Sequence, residues 1–186
     1  HTGATVTPTV DYYYNAMGDL SRTRQRGTAN AAERITTYGY DGGKLYWMRN
    51  AEAQDSVVTD GRLTYYGYDI AGRQTHEYAA RYDITGALTK SVNNVAASYE
   101  GVLTSYDAAG RITGKWQATY NSSEGWLDNG PRAVTTYNAF GEVATVASGG
   151  VTQQTNVYDN AGRTVSTNAG DGIWKHFGYD KNGNQT

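Results

Sequence analysis

Residues 66–73 read "YGYDIAGR", and most of that phrase returns as "SYDAAGR" at 105–111 and "VYDNAGR" at 157–163. With Asp or Asn in second place and any residue after the glycine, Tyr-[Asp/Asn]-x-x-Gly occurs seven times. The copies start at Tyr14, Tyr68, Tyr82, Tyr106, Tyr137, Tyr158 and Tyr179, and a shortened eighth, "YDGGK", starts at Tyr40. Successive starts lie 26, 28, 14, 24, 31, 21 and 21 residues apart. This is a loose repeat with a unit of about 20 residues.

Local chemistry gives each part a task. An Asp or Asn side chain accepts hydrogen bonds from backbone N–H groups a few residues on. A Gly three positions later takes the left-handed conformation that other residues resist. Asp-x-x-Gly therefore predicts a type I turn closed by a Gly bulge, the connection of a hairpin. The turn positions are Asn15 with Gly18, Asp41 in the short copy, Asp69 with Gly72, and Asp83 with Gly86. Four more follow: Asp107 with Gly110, Asn138 with Gly141, Asp159 with Gly162, and Asp180 with Gly183.

Strand-forming stretches flank the turns. "RITTYGY" (34–40), "RLTYYGY" (62–68) and "RAVTTY" (132–137) precede them; "KLYWM" (44–48), "RITGKW" (111–116) and "EVATV" (142–146) follow. Period-two alternation puts Tyr66 and Tyr68 on one face, where cross-strand aromatic pairs stabilise by about 0.2–1 kcal/mol each. The sixth position after the tyrosine is apolar at Leu20, Leu88, Ile112 and Val143, with Leu45 its equivalent in the short copy. Gln74, Thr164 and Gln185 break that pattern. The one short stretch open to a helical reading is "NAAERI" at 30–35.

The expected fold is therefore all-β, one array of antiparallel hairpins over residues 1–186. Residues 114–134, with Trp116, Trp126 and Pro131, are expected to form an inserted loop or extra hairpin. A formal charge of -2 with scattered Lys and Arg gives no field for nucleic acid, which is not expected as a partner. No Cys occurs, so disulfide and thiolate chemistry are excluded, and no apolar run is long enough for a membrane-spanning helix. The opening "HTGATVTP" carries no leader pattern and the chain stops soon after a turn glycine, which reads as a piece of a longer polypeptide.

With these copies spread over nearly its whole length, the sequence resembles the YD-repeat family, also called Rhs repeats. Tyr66-Gly67-Tyr68-Asp69 through Gly72-Arg73 carries the match best. Tyr106-Asp107 with Gly110-Arg111-Ile112, and Tyr158-Asp159 with Gly162-Arg163, carry its second half. Departures are Asp19, Ala87, Glu142 and Asn184 at the Arg position, and Asn15 and Asn138 at the Asp position. The resemblance implies a β-sheet wound into a spiral, which in bacterial Rhs proteins, insecticidal toxin-complex subunits and animal teneurins forms a large hollow shell. In the bacterial cases the shell encloses a toxic polypeptide segment. This chain would then supply an arc of such a shell, secreted or at the bacterial cell surface. The remainder of its chain or further copies would complete the shell around a polypeptide cargo. The family's self-cleaving region carries an Asp-Pro-type signature; Pro8 and Pro131 follow Thr7 and Gly130, so that activity is not carried over.

Each candidate site admits a chemical and a structural reading. Asp69, Asp107 and Asp159 read either as general acids or metal ligands, or as turn caps; their recurrence on successive hairpins favours caps. Asp180, Asn182 and Asn184 are spaced like the opening of a calcium loop, but Gln185 stands where that loop needs Gly. His76 and His176 are the internal histidines, and no Gly-x-Ser-x-Gly pattern accompanies them. Arg73, Arg111 and Arg163 read as bridges to carboxylates or stacking partners of tyrosines in the next hairpin. Trp116 and Trp126 are candidates for stacking on carbohydrate. The expectation is a non-enzymatic scaffold without cofactor or metal. The alternative is a cell-surface module that binds carbohydrate or protein.

Overall fold

The computed structural model describes residues 9–26, 33–50, 63–80, 98–121 and 124–186. Fourteen strands and no helix occur among them, and every pairing whose register is defined is antiparallel. The all-β hairpin architecture read from the sequence is the one the chain adopts. Of the stretch 30–35, residues 30–32 lie outside the described residues; Glu33 is not helical, and Arg34 and Ile35 open a strand in which Ile35 pairs across to Arg24.

The chain divides into two compact units, His1–Glu100 and Gly101–Thr186. In the first, β1 (Thr9–Tyr14), β2 (Leu20–Arg26), β3 (Arg34–Asp41), β4 (Lys44–Arg49), β5 (Leu63–Tyr68) and β6 (Gln74–Ala80) lie side by side in chain order. The division falls inside β7 (Ser98–Tyr106). In the second unit β8 (Ile112–Asn121) is followed in space by β10 (Ala133–Tyr137), β11 (Val143–Ser148), β12 (Val151–Tyr158), β13 (Thr164–Thr167) and β14 (Lys175–His176). The remaining strand, β9 (Gly125–Asp128), folds back on the far half of β8, pairing Tyr120 with Trp126. The near half of β8 pairs with β10 through Lys115–Ala133 and Gly114–Val134. The segment 114–134 thus contains an extra hairpin built on an overlong strand.

Each described copy of the repeat sits at the hairpin end its chemistry calls for. Gly18, Gly72, Gly110, Gly141, Gly162 and Gly183 have φ of 89, 83, 84, 96, 79 and 86°. In each turn the glycine N–H donates to the carbonyl of the Asp or Asn three residues before. The Asp or Asn N–H in turn donates to the carbonyl of the residue after the glycine. This is the type I turn with its Gly bulge. The short copy differs: Gly42 and Gly43 have φ of 54 and 76°, a two-residue turn with both central residues left-handed, across which Asp41 pairs with Lys44. The Tyr82 copy, with Asp83, Gly86 and Leu88, lies outside the described residues.

A second irregularity follows every repeat turn whose register is defined. Tyr14 pairs with Leu20 but Tyr13 with Arg22, so Ser21 is extra. Tyr46, Thr75, Ala144 and Val165 are the extra residues at the same place in later copies. A bulge bends and twists the strand that carries it. Each Asp/Asn-x-x-Gly hairpin of defined register carries two, one at the glycine and one just beyond, and the short copy carries only the second.

The described residues of neither unit bury a conventional core. Among the described residues Ala118, Ser166 and Gly114 are buried, and most other strand side chains are half-buried. Stability must therefore come from ladders within the sheet, chiefly aromatic contacts and hydrogen bonds between neighbouring strands. In the first unit Tyr65 stacks on Tyr78 with centroids 5.3 Å apart, and Tyr99 meets both edge-on at 6.2 and 5.6 Å. The bulged Tyr46 adds a further edge contact to Tyr65. Gly39 and Gly67, each between two tyrosines, leave room for the facing Trp47 indole and His76 imidazole, which occupy the space a Cβ would need or touch it. A ring covering a strand glycine restores the packing that the missing side chain would forfeit.

Candidate functional site

Among the described residues the repeated turn is a constellation of charged residues that recurs, and its Asp copies share one geometry. Asp69 Oδ1 accepts from the N–H groups of Ala71 and Arg73 at 3.0 and 2.9 Å, and Oδ2 accepts from Arg73 Nε at 2.7 Å. Asp159 repeats this with Ala161 N and Arg163 N at 2.9 Å each and Arg163 Nε at 2.7 Å. Asp107 binds Arg111 through its backbone N–H at 2.9 Å and Nε at 2.7 Å. Asp180 holds the N–H groups of Asn182 and Asn184, and the Asn184 side-chain amide supplies the remaining donor at 2.9 Å. Asp41 is exposed at its tighter turn.

Donors surrounding a carboxylate favour its charged form. The backbone N–H of the residue four positions on, followed by its guanidinium, holds Asp69 and Asp159 below the usual carboxylate range. The Arg111 backbone N–H is the main cause of the same shift at Asp107, and the Asn184 side-chain amide at Asp180.

Two copies reverse the polarity. Asn15 Oδ1 accepts from Met17 N and Asp19 N at 2.9 and 2.8 Å, while its own amide donates to Asp19 Oδ2 at 3.0 Å. Asn138 Oδ1 accepts from Phe140 N and Glu142 N at 3.0 Å each, and its amide donates to Glu142 Oε2. An Asp at the head of the turn meets a donor four residues on; an Asn meets an acceptor. Asp19, Glu142 and Asn184 are thus matched partners, although each stands where the repeat otherwise has Arg.

Successive copies interlock through the tyrosines. The hydroxyls of Tyr40, Tyr68, Tyr137, Tyr158 and Tyr179 donate to the backbone carbonyls of Leu20, Leu45, Ile112, Val143 and Thr164, at 2.9–3.0 Å. Each acceptor belongs to the preceding copy and directly follows the residue that closes its turn (Asp19, Lys44, Arg111, Glu142 or Arg163), here termed the clip residue. Because a carbonyl is used, Thr164 serves as well as Leu20. Burial pushes the Tyr40 hydroxyl pKa up, keeping it a neutral donor.

The clip residue of one copy also covers the next. Arg111 lies 4.4 Å from the Tyr137 ring centroid, Arg163 4.6 Å from that of Tyr179, and Lys44 5.5 Å from that of Tyr68. Beyond the ring these side chains reach the next turn glycine. A Cβ on Gly141 would stand 2.9 Å from Arg111 Nη1, and one on Gly72 3.0 Å from Lys44 Nζ. On Gly162 it would stand 2.7 Å from Glu142 Oε1. The turn glycine therefore serves its own φ and its neighbour's side chain.

The other sequence candidates lie apart from this ladder. Trp116, on β8, has Arg132 stacked 4.0 Å from its ring centroid, and its indole Nε1 is buried without a hydrogen-bond partner. Trp126, on β9, packs against Tyr120 at 5.3 Å. His76 belongs to the first unit and His176, stacked on Trp174 at 6.5 Å, to the second. Burial pushes the His76 pKa down, so the ring over Gly67 is neutral at pH 7. Among the described residues no group of three or more His, Cys, Asp and Glu side chains is placed to hold a metal ion.

In the sequence the polarity rule is written as Asn15 with Asp19 and Asn138 with Glu142, each pair a double departure from the repeat consensus. The tyrosine-to-carbonyl ladder had no such signal, because its acceptors are backbone atoms.

No protein-family model and no curated protein matches this sequence. Among solved structures, the chain is similar to that titled "Crystal Structure of TcdB2-TccC3-TEV", at 16% identity over 95% of this chain, with a TM-score of 0.40. It is similar as well to "Crystal Structure of TcdB2-TccC3-Cdc42", at 15% identity over 93% of this chain, with a TM-score of 0.37. The chain spans 11% of the length of each of those chains.

Proposed function

We propose that this chain is a non-enzymatic scaffold, an arc of a hairpin-built β-shell that encloses a polypeptide. The observation that carries the scaffold reading is the saturation of the repeated carboxylates. Both oxygens of Asp69, Asp107 and Asp159 are engaged by donors of their own turn. A general acid or base must be free to exchange a proton with substrate, and here that freedom would cost the turn. The enclosure reading draws on the near-absence of buried side chains among the described residues. Sheet faces lined by half-buried tyrosine and threonine suit contact with further sheet on one side and a polypeptide on the other.

The test is protection. The tagged chain is isolated from its native source and treated with protease, with and without alanine at Asp69, Asp107 and Asp159. An enclosed polypeptide survives beside the intact chain and is digested when the clips are removed. Digestion at the same rate in both cases would refute enclosure.

A further inference from the structure

Asn-Gly occurs twice in the chain, as Asn129-Gly130 and Asn182-Gly183. Both pairs are exposed, but their backbones are held differently. In the second, the Gly183 N–H donates to the Asp180 carbonyl at 3.0 Å, and the Asn182 N–H to Asp180 Oδ1 at 2.9 Å. Both bonds belong to the repeat turn. In the first, the Asn129 N–H donates to the Gln117 carbonyl at 2.8 Å, and the chain then crosses to β10 through residues 130–132. The Gly130 N–H meets no acceptor, and the Asn129 side-chain amide no partner, among the described residues. Gly130 has φ of 129°, and nothing comes within 4 Å of where its Cβ would stand.

We propose that Asn129 is a site of spontaneous deamidation in the folded chain, and that the repeat turn shields Asn182 from the same reaction. The nucleophile is the nitrogen of the following residue. The Gly130 nitrogen gives its proton to solvent base and attacks the Asn129 side-chain carbonyl carbon. A C–N bond forms, ammonia leaves with a proton from water, and a cyclic succinimide remains. Water opens that ring at either carbonyl, leaving aspartate or isoaspartate. Glycine hinders the attack least, since no Cβ crowds its nitrogen. At Gly183 the same nitrogen must first give up its bond to the Asp180 carbonyl. Exposure does not separate the two sites; hydrogen bonding does.

The corner that carries Asn129 is short. Gln117 and Lys115 of β8 hold its two ends, Asn129 and Ala133. Isoaspartate routes the main chain through the former side chain and so adds a methylene to that corner. Either product also sets a new carboxylate beside the Asp128–Arg132 pair, whose arginine stacks 4.0 Å from the Trp116 ring centroid. The reaction therefore ages the junction between the extra hairpin and the repeat array. None of this depends on enclosure.

The full chain is held at mildly alkaline pH and physiological temperature, sampled over time and mapped by peptide mass spectrometry. Each conversion adds about 1 Da, and electron-transfer fragmentation tells isoaspartate from aspartate. In the folded chain Asn129 should convert roughly 3–10-fold faster than Asn182, the worth of one hydrogen bond. In urea the two rates should converge. Asp180→Ala strips the side-chain bonds of that turn, and should speed Asn182 while leaving Asn129 unchanged. Equal rates in the folded chain, a faster Asn182, or a difference that persists in urea would overturn the proposal. So would an Asp180→Ala chain in which Asn182 converts no faster. By amide NMR the isoaspartate form should shift Gln117 and Ala133 more than Asn129→Asp does; equal shifts would refute the lengthened corner.

Discussion

Two consecutive repeat turns of the second unit, 107–111 and 138–142, hold the same shape with opposite chemistry. In the first a carboxylate receives a guanidinium, Asp107 to Arg111 at 2.7 Å. In the second a neutral amide gives its proton to a carboxylate, Asn138 to Glu142. Both heads accept the backbone N–H of the residue four positions on, at 2.9 and 3.0 Å. The backbone bond is the fixed requirement, and the side-chain pair has only to be complementary. What the pair does beyond its turn also differs. Arg111 stacks on the Tyr137 ring, while Glu142 has no such attraction to the Tyr158 ring and reaches toward Gly162.

The largest effect should come from the element the two turns share. Gly162→Ala forces a side chain into φ of 79° and toward Glu142, costing about 1–2 kcal/mol. The melting temperature should fall by roughly 3–8 °C. A loss below 1 °C by calorimetry would mean the glycine is not required.

Next comes polarity. Glu142→Arg puts two donors face to face, and should lower the melting temperature by roughly 2–4 °C. Adding Asn138→Asp should restore it by rebuilding the Asp107–Arg111 arrangement. A double variant no better than the single would refute complementarity as the rule.

Removing one rung of the ladder is a smaller change. Tyr68→Phe deletes the hydroxyl that donates to the Leu45 carbonyl at 2.9 Å, worth about 1 kcal/mol. The expected loss is roughly 2–4 °C. An unchanged melting temperature would contradict the ladder.

The mildest effect separates the two kinds of turn by acid. The carboxyls of Asp69, Asp107, Asp159 and Asp180 are lowered in the folded chain. Their contribution is therefore complete above the unfolded value near 4, and is lost as pH falls from there through the folded values. Melting temperature should decline below about pH 4. Asn at 69, 107 and 159 should flatten that decline while lowering the plateau. An unchanged acid limb in the triple variant would assign it to other carboxylates, such as Glu33, which the Arg24 side chain also lowers.

Legibility in the sequence followed the range of each interaction. Asp69 and Gly72 lie within one turn and are coupled through three covalent neighbours, so residue type alone predicts their bonds. The clip partners were legible too, but only once Asn15 with Asp19 and Asn138 with Glu142 are read as pairs rather than as two separate columns. The second bulge was not legible. Its extra residue is Ser21, Tyr46, Thr75, Ala144 or Val165, and no shared side-chain property marks the place.

The sequence by itself determined that this chain is a set of hairpins, where each one turns, and which side chain caps it. Those bonds close over four or five residues and need no partner strand. The tertiary structure alone decided how one hairpin meets the next: which carbonyl takes a tyrosine hydroxyl, which ring lies under an arginine, and which glycine lies beneath both. These contacts depend on strand register across some 20 residues of chain, and on a bulge that shifts that register by one. Alternation alone does not carry that shift from one copy to the next.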